Sequence, residues 1–315
     1  MSSILAVDFG GTNIRVAHFE HPTPPPTKQI KRPTLAKEGP ESVLQRLEDA
    51  IAELIPVDTQ GMKIGIAAPG PLDPNEGVIH SAPNLSGWKD IPLRQHLMQE
   101  FNCPVFLGND ANMAALGEWR HGAGLGTEHM IYITISTGIG GGIISHGHLL
   151  TGSRGLGGEL GHMTIVSNGP RCGCGIHGHL EAVAAGPAIA RQALERLQSE
   201  NESSLRELLD RGEPITTIDV ANAAKAGDQL ATQVLAYAGQ LIGHHLADLA
   251  HAFNPEMFVL GGGVSSIGTL LFDPIIQSLE EHVMDPVYLE NLQVLPAALG
   301  DDAGLVGAMV FANQG

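Results

Sequence analysis

The segment ILAVDFGGTNIRVAHF, Ile4 to Phe19, is where the reading of the chain begins. An apolar run from Ile4 to Phe9, broken only by Asp8, meets the pair Gly10-Gly11, and a strand-like pattern resumes from Ile14 to Phe19. That pattern predicts a β-hairpin closed by a glycine turn. Asp8, Gly10, Gly11, Thr12, Asn13 and Arg15 surround the turn. Their small size leaves backbone amides and a hydroxyl uncovered beside a carboxylate, so the turn can hold a phosphate. Gly and Asn are equally the usual formers of an ordinary β-turn, and the segment alone leaves both readings open. The same arrangement returns further on: a strand from Met130 to Thr134, the turn Ser136-Thr137-Gly138, Gly140 to Gly142, and a strand to Ser145. No helix follows that glycine run, so it is not a dinucleotide-binding fingerprint. A hairpin that occurs twice points to an internal duplication, one phosphate-gripping turn per domain, able together to hold the polyphosphate of ATP.

Composition agrees with two domains of α/β type. The chain has 315 residues, 43% hydrophobic and 4% aromatic, with 40 glycines, which suits Ala/Ile/Val/Leu packing and many tight turns. A formal net charge of −17 argues against a nucleic-acid or anionic-membrane surface, both of which require clustered Lys and Arg. A phosphate site here must rely on backbone amides and a metal ion. No run approaches the ~20 apolar residues of a membrane span, and the start MSSILAVDFG has no basic leader, so a cytoplasmic protein is expected. With three cysteines a disulfide framework is not expected; Cys103, beside Pro104, reads as a small buried hydrophobe.

Outward from the first hairpin, HPTPPPT (21–27) reads as a stiff surface loop. Glu41 to Leu54 has one apolar stripe at helical period, and Lys63 to Ala68 is a strand. The stretch AAPGPLDPNEGVIHSAPNLSGW is expected to be irregular until Ile91, where a helix begins with Pro92 at its first position. A loop of that length is usually functional, and Asn84 and Trp88 stand out in it. Val105 to Leu107 is a brief strand ending in Gly108, Asn109 and Asp110, ahead of a helix from Ala111 to His121. Asp110 either caps that helix or presents its carboxylate at the carboxyl end of a strand, where α/β folds collect ligands. Beyond the second hairpin, Pro187–Gln198, Ser203–Leu209, Thr217–Ala226 and Asp228–Phe253 are helical. His244 and His245 on the last of these read as core or surface histidines rather than ligands. Glu256 to Leu260 is a strand delivering Gly261, Gly262 and Gly263 toward a nucleotide or other anion. A strand from Leu292 to Leu295 and a helix from Ala303 to Ala312 close the chain.

The window GGELGHMTIVSNGPRCGCGIHGHLE, Gly157 to Glu181, is the richest in chemistry. His162, Cys172, Cys174 and His179 offer two imidazoles and two thiolates, the ligand set of a tetrahedral structural zinc, with Glu159 and Glu181 at the flanks. Glycines at 173, 175 and 178 let the backbone wrap around an ion. The alternatives are a reduced metal-free loop or a redox Cys-x-Cys pair.

Six ordered motifs, DFGGTNIR (8–15), GND (108–110), STGIGGG (136–142), GGELGH (157–162), CGCGIHGHLE (172–181) and LGGGVS (260–265), together resemble the sugar-kinase branch of the ROK family, most of all its bacterial glucokinases. The resemblance covers nearly the whole chain. It implies an α/β fold of two ribonuclease-H-like (actin-like ATPase) domains with mixed β-sheets around a central cleft. Residues 1–121 would form a small N-terminal domain, completed by the C-terminal helix 301–315, and residues 122–300 a large one. It further implies ATP-dependent phosphorylation of a hexose at its 6-hydroxyl, glucose to glucose 6-phosphate first of all, with Asp110 as general base. A sugar hydroxyl is a poor nucleophile until a carboxylate takes its proton, and such assistance is typically worth ~10²–10⁴-fold. By the same resemblance Asn84, Asn109, Asp110, Glu159, His162 and Glu181 contact the sugar. The first hairpin, with Asp8 near Mg²⁺, grips phosphate together with Thr137 and Gly138, and Gly261 to Gly263 approach the adenosine. Mg²⁺ keeps most of its waters and needs few protein carboxylates. The family also implies a homodimer. It commonly has a third cysteine where this chain has His179; imidazole ligates zinc well, so a structural Zn²⁺ is still expected.

The rival functions are a kinase for another hexose (N-acetylglucosamine, N-acetylmannosamine, mannose or fructose), a sugar-sensing transcription regulator, and a catalytically silent sugar-binding protein. A regulator would carry a helix-turn-helix before the phosphate hairpin, and the hairpin already begins at Ile4. Asp110 beside two phosphate turns speaks against a silent protein.

Overall fold

A computed structural model describes residues 3–56, 59–82, 84–199 and 202–315. Met1, Ser2 and Pro83, the first residue of the Pro-Asn-Leu turn, lie outside the described residues.

The first hairpin forms as its alternation dictates. Strands β1 (Ile4–Phe9) and β2 (Asn13–Phe19) pair antiparallel, with Asp8 opposite Arg15. Strand β3 (Lys28–Pro33) adds to the β2 edge directly after the proline-rich loop, and β4 (Lys63–Ala68) pairs parallel with β1 on the other side. Both faces of β1 are covered, which is why it reads as an almost unbroken apolar run. Leu5, Val7 and Phe9 join Val43, Leu47, Ala50 and Ile51 of helix α1 (Pro40–Leu54) in one core. Ile4 and Ala6, on the opposite face by the two-residue period, are also fully buried.

The stretch expected to be irregular contains three short strands, β5 (Leu72–Asp73), β6 (Val78–Ser81) and β7 (Lys89–Ile91), in a small antiparallel sheet. Leu72, Ile79, Leu85 and Trp88 anchor it in the same core, Trp88 against Phe9 at 5.0 Å between ring centroids. Burial of these apolar residues overrides the local preference of Pro, Gly and Asn for loop. Helix α2 (Leu93–Phe101) has Pro92 at its N-cap rather than at its first helical position. Strand β8 (Val105–Asn109) then pairs parallel with β4, and helix α3 (Asp110–His121) follows at once.

The second half repeats the plan. Strand β9 (Met130–Ile135), the Ser136–Gly138 turn, β10 (Ile139–Ser145) and β11 (His148–Leu149) are followed, much later, by β12 (Met257–Gly261) and β13 (Gln293–Pro296). Gly140 to Gly142 lie inside β10 and not in the turn. The two five-stranded sheets run β3-β2-β1-β4-β8 and β11-β10-β9-β12-β13, the same order of third, second, first, fourth and fifth strand. The duplication inferred from the hairpins thus extends to the whole sheet.

Helices α4 (Leu180–Ala184), α5 (Gly186–Leu197), α6 (Arg206–Asp210), α7 (Thr217–Lys225), α8 (Gln229–Phe253) and α9 (Thr269–His282) fill the long insertion before β13, and α10 (Ala303–Gln314) closes the chain. His245 of α8 is fully buried, and burial pushes its pKa down to about 4, so it is a neutral core histidine. Among the described residues no helix is long and apolar enough to cross a membrane.

The chain divides into two compact units: residues 1–132, 142–158 and 297–315, and residues 133–141 and 159–296. This differs from the expected division at 121/122, because residues 122–132 and 142–158 pack with the first unit. Residues 297–315, which include α10, belong there too. The boundary expected along the chain does not coincide with the break in packing, since β9 and β10 each pass from one unit into the other.

Candidate active site and metal centre

In the first unit the glycine turn is held from outside its own sequence. The Gly10 N–H donates to the Asn13 carbonyl at 3.0 Å, while the buried Thr34 donates its N–H to the Thr12 carbonyl at 2.9 Å and its hydroxyl to the Gly10 carbonyl at 2.6 Å. Gly11 is required by a close approach: a Cβ there would stand 2.7 Å from the Asn84 Cβ. Exposed Asn84 therefore sits directly against the turn.

Asp8 and Arg15, opposite each other in the β1–β2 register, are 3.7 Å apart. Arg15 also bonds the Asp301 carbonyl and the Asp302 carboxylate, just before α10. Desolvation pushes the Asp8 pKa up to about 6; Arg15 opposes this and the Asp301 and Asp302 charges add to it. Its side chain is still 28% exposed. A carboxylate held in so unfavourable a place, at the end of a strand and beside an amide-lined turn, is suited to receive a cation. Sequence reading missed Thr34, Asp301 and Asp302. The paired acids before an apolar helix were a signal, but Thr34 carried none.

Asn109, not Asp110, caps α3: its Oδ1 accepts from the N–H groups of Ala111 at 3.0 Å and Asn112 at 3.2 Å. Asn109 thus commits its oxygen to the helix and retains its amide N–H₂ as a donor. Asp110 is the first residue of α3, exposed, with its carboxylate accepting from Ala111 N–H at 2.8 Å.

In the second unit, the turn Ser136–Gly138 closes with the Ser136 N–H donating to the Gly138 carbonyl at 2.8 Å, and Thr137 is exposed at its tip. Glu181, in the first turn of α4, accepts the Ile139 N–H at 3.1 Å through one oxygen and the Cys172 thiol at 3.3 Å through the other. It therefore ties the Ser136–Gly138 turn to the cysteine loop. Gly138 leaves room for it: a Cβ there would stand 2.5 Å from the Glu181 carboxylate and would displace it. After β12, Gly262 has φ of +82°, a left-handed conformation natural only to glycine, and Gly263 faces open space.

The ligand atoms of His162, Cys172, Cys174 and His179 all lie within 4.8 Å of one another. Cys172 Sγ is 3.6 Å from His162 Nδ1 and Cys174 Sγ is 3.3 Å from His179 Nδ1. Tetrahedral zinc with ordinary Zn–S and Zn–N bonds places sulfur and nitrogen ligands about 3.6 Å apart, so the donor set and its spacing fit. The fourth candidate ligand, His179, is buried, and its backbone forms a bridge to Thr164. His162 turns Nδ1 to the cluster and Nε2 toward the Glu159 carboxylate, 4.0 Å away. One ring nitrogen is thereby left for a second partner, as metal-bound histidines commonly require.

The ROK family model matches residues 4–315. The chain is 36% identical to the glucokinase of Thermotoga maritima over 305 residues, covering 97% of this chain and 95% of that protein. It is 38% identical to the glucokinase of Halalkalibacterium halodurans over 315 residues, covering 98% and 94%. The crystal structure of a ROK family glucokinase from Streptomyces griseus in complex with glucose and AMPPNP matches with a TM-score of 0.84 and 36% identity over 100% of both chains. With the duplicated sheet, the two glycine turns and the His/Cys cluster all in place, the chain belongs to the ROK family.

Proposed function

We propose that the protein is a sugar kinase that transfers the γ-phosphoryl group of ATP to the 6-hydroxyl of a hexose, with glucose as the acceptor. The observation that carries this reading is Asp110, exposed on the first turn of α3 with the capping duty taken by Asn109, in the same unit as the Asp8–Asn13 turn. Asp110 takes the hydroxyl proton as O6 forms its bond to the γ-phosphorus, and the bond from that phosphorus to the β-phosphate bridge oxygen breaks, releasing ADP. The amides of the turn at residues 10–13, with Thr137 and Gly138, hold the phosphates; Gly261 to Gly263 approach the adenosine. Mg²⁺, held by Asp8 and waters, would neutralise phosphate charge. Asn84, Asn109, Glu159, His162 and Glu181 offer donors and acceptors to the sugar hydroxyls. A structural zinc on His162, Cys172, Cys174 and His179 would brace Glu159, His162 and Glu181, since four protein ligands leave no place for a reactive water. The proposed working form is a cytoplasmic homodimer.

A coupled ADP-release assay over glucose, mannose, fructose and the N-acetylhexosamines tests acceptor and activity together. Glucose is expected to give the highest kcat/KM. Asp110→Asn is expected to bind glucose normally and to lose at least ~10²-fold in kcat. A variant keeping about a tenth of the wild-type rate, a smaller loss than a missing base costs, would overturn the role of Asp110.

A further inference from the structure

Among the described residues Glu118 is the one fully buried acid, and its partners are all backbone amides. Oε2 accepts from Ala123 N–H at 2.9 Å and Ala298 N–H at 3.0 Å, and Oε1 from Leu299 N–H at 2.7 Å. Its own carbonyl accepts from Gly122 and Gly124, each at 3.0 Å. These donors belong to two segments far apart in the chain: the turn that follows α3, and the return into the first unit after Pro296. A buried carboxylate is costly, and an apolar side chain of the same size would fill the space without that cost. A charged acceptor gives stronger and more directional hydrogen bonds. It fixes both segments to the C-terminal end of the helix whose N-terminal residue is Asp110. From Leu299 the chain runs two residues to Asp301 and Asp302, which bond Arg15 beside Asp8.

We propose that Glu118 is a positioning residue for phosphoryl transfer: its carboxylate sets the placement of the Asp110 helix relative to the Asp8–Arg15 turn through the 298–302 segment. The inference rests on the roles given above to Asp110 and Asp8. It accounts for an acid where packing alone asks for none, because displacing a reacting group by about 1 Å can cost ~10²-fold in rate.

Glu118→Gln keeps the shape but turns an N–H₂ group toward backbone donors. The expected result is a kcat lowered ~10–100-fold, with the glucose Kd from calorimetry held within about two-fold and hydrogen exchange accelerated at Ala123, Ala298 and Leu299. The Trp119 indole donates to the Thr127 carbonyl at 2.7 Å in the same turn, so its fluorescence in a Trp88→Phe background should change with Glu118→Gln. Wild-type kcat in Glu118→Gln overturns the proposal. So does a loss explained by a smaller folded fraction whose remainder turns over normally. Should the variant not fold, the wild-type protein decides. The amides of Ala123, Ala298 and Leu299, outside helix and strand, must exchange as slowly as those of α10, and fast exchange overturns the clamp. Absence of sugar-dependent ADP release by the wild type would sink the kinase reading instead, and leaves the exchange result standing.

Discussion

Asp8 carries a cost that a residue chosen for stability alone would not. Its folded pKa of about 6 lies above the ordinary 3.8, so the folded state binds more protons than the unfolded state between those values. Stability from this group is therefore full at low pH and is lost as pH rises through 6. The shift corresponds to at most about 3 kcal/mol, less for a side chain still in contact with water. Asp8→Asn is expected to raise the Tm of the ligand-free protein at pH 7.5, to raise it by only about a third as much near pH 4.5, and to abolish turnover. An equal Tm difference at both pH values in scanning calorimetry would refute the desolvated carboxylate. Asn109 and Asp110 make the complementary point: of two adjacent polar residues, Asn109 is the cap of α3, while Asp110 is exposed on its first turn. The sequence could not assign which does which, since either side chain can accept from the first helical amides.

At the scale of elements, the hairpins, α1, α3, α8 and the closing helix were legible because each carries its own periodicity or turn chemistry. Strands β5 to β7 were not, since their few apolar residues acquire meaning only from the core they enter. The cysteine loop lies between these cases. Its candidate ligands could be named from spacing, whereas the backbone between His162 and His179 is held by the bridges Thr164 to His179 and Arg171 to His177 and by turn hydrogen bonds such as Cys172 N–H to the Ile176 carbonyl at 2.8 Å and Gly178 N–H to the Pro170 carbonyl at 2.9 Å. No helix or strand runs between them, so an ion bound there would add to the order of the loop. The protein is expected to hold one zinc per chain by elemental analysis. Stripping it should weaken glucose binding at least ~10-fold, the usual scale for disturbing a metal site's supporting shell, and speed amide exchange over 163–178. Unchanged glucose affinity in protein verified as metal-free would dismiss the brace.

Over the whole molecule, the first unit is finished by the last helix. From Ala303 to Ala312 α10 is apolar and largely buried, as expected of a helix enclosed by other elements. Gly307 lets it cross α3 closely, for a Cβ there would collide with the Met113 carbonyl. Leu305, Val306, Met309 and Val310 are all buried. At ~1.5–3 kcal/mol each they contribute roughly 6–12 kcal/mol, comparable with the ~5–15 kcal/mol of a whole domain. Deleting residues 303–315 is expected to leave no cooperative thermal transition for the first unit; a truncated protein melting at the wild-type Tm would contradict this. The sequence by itself determined what is local: two glycine hairpins, the Asn-Asp start of a helix, a His/Cys cluster of candidate ligands and an apolar closing helix, each written in neighbouring residues. Only the tertiary structure decided that residues 122–132 and 142–158 pack with the first unit, that Thr34 holds the Gly10–Asn13 turn, and that Glu118 joins residues 123 and 298. Those arrangements depend on hydrogen bonds and packing between residues distant in the chain, and no periodicity or spacing encodes them.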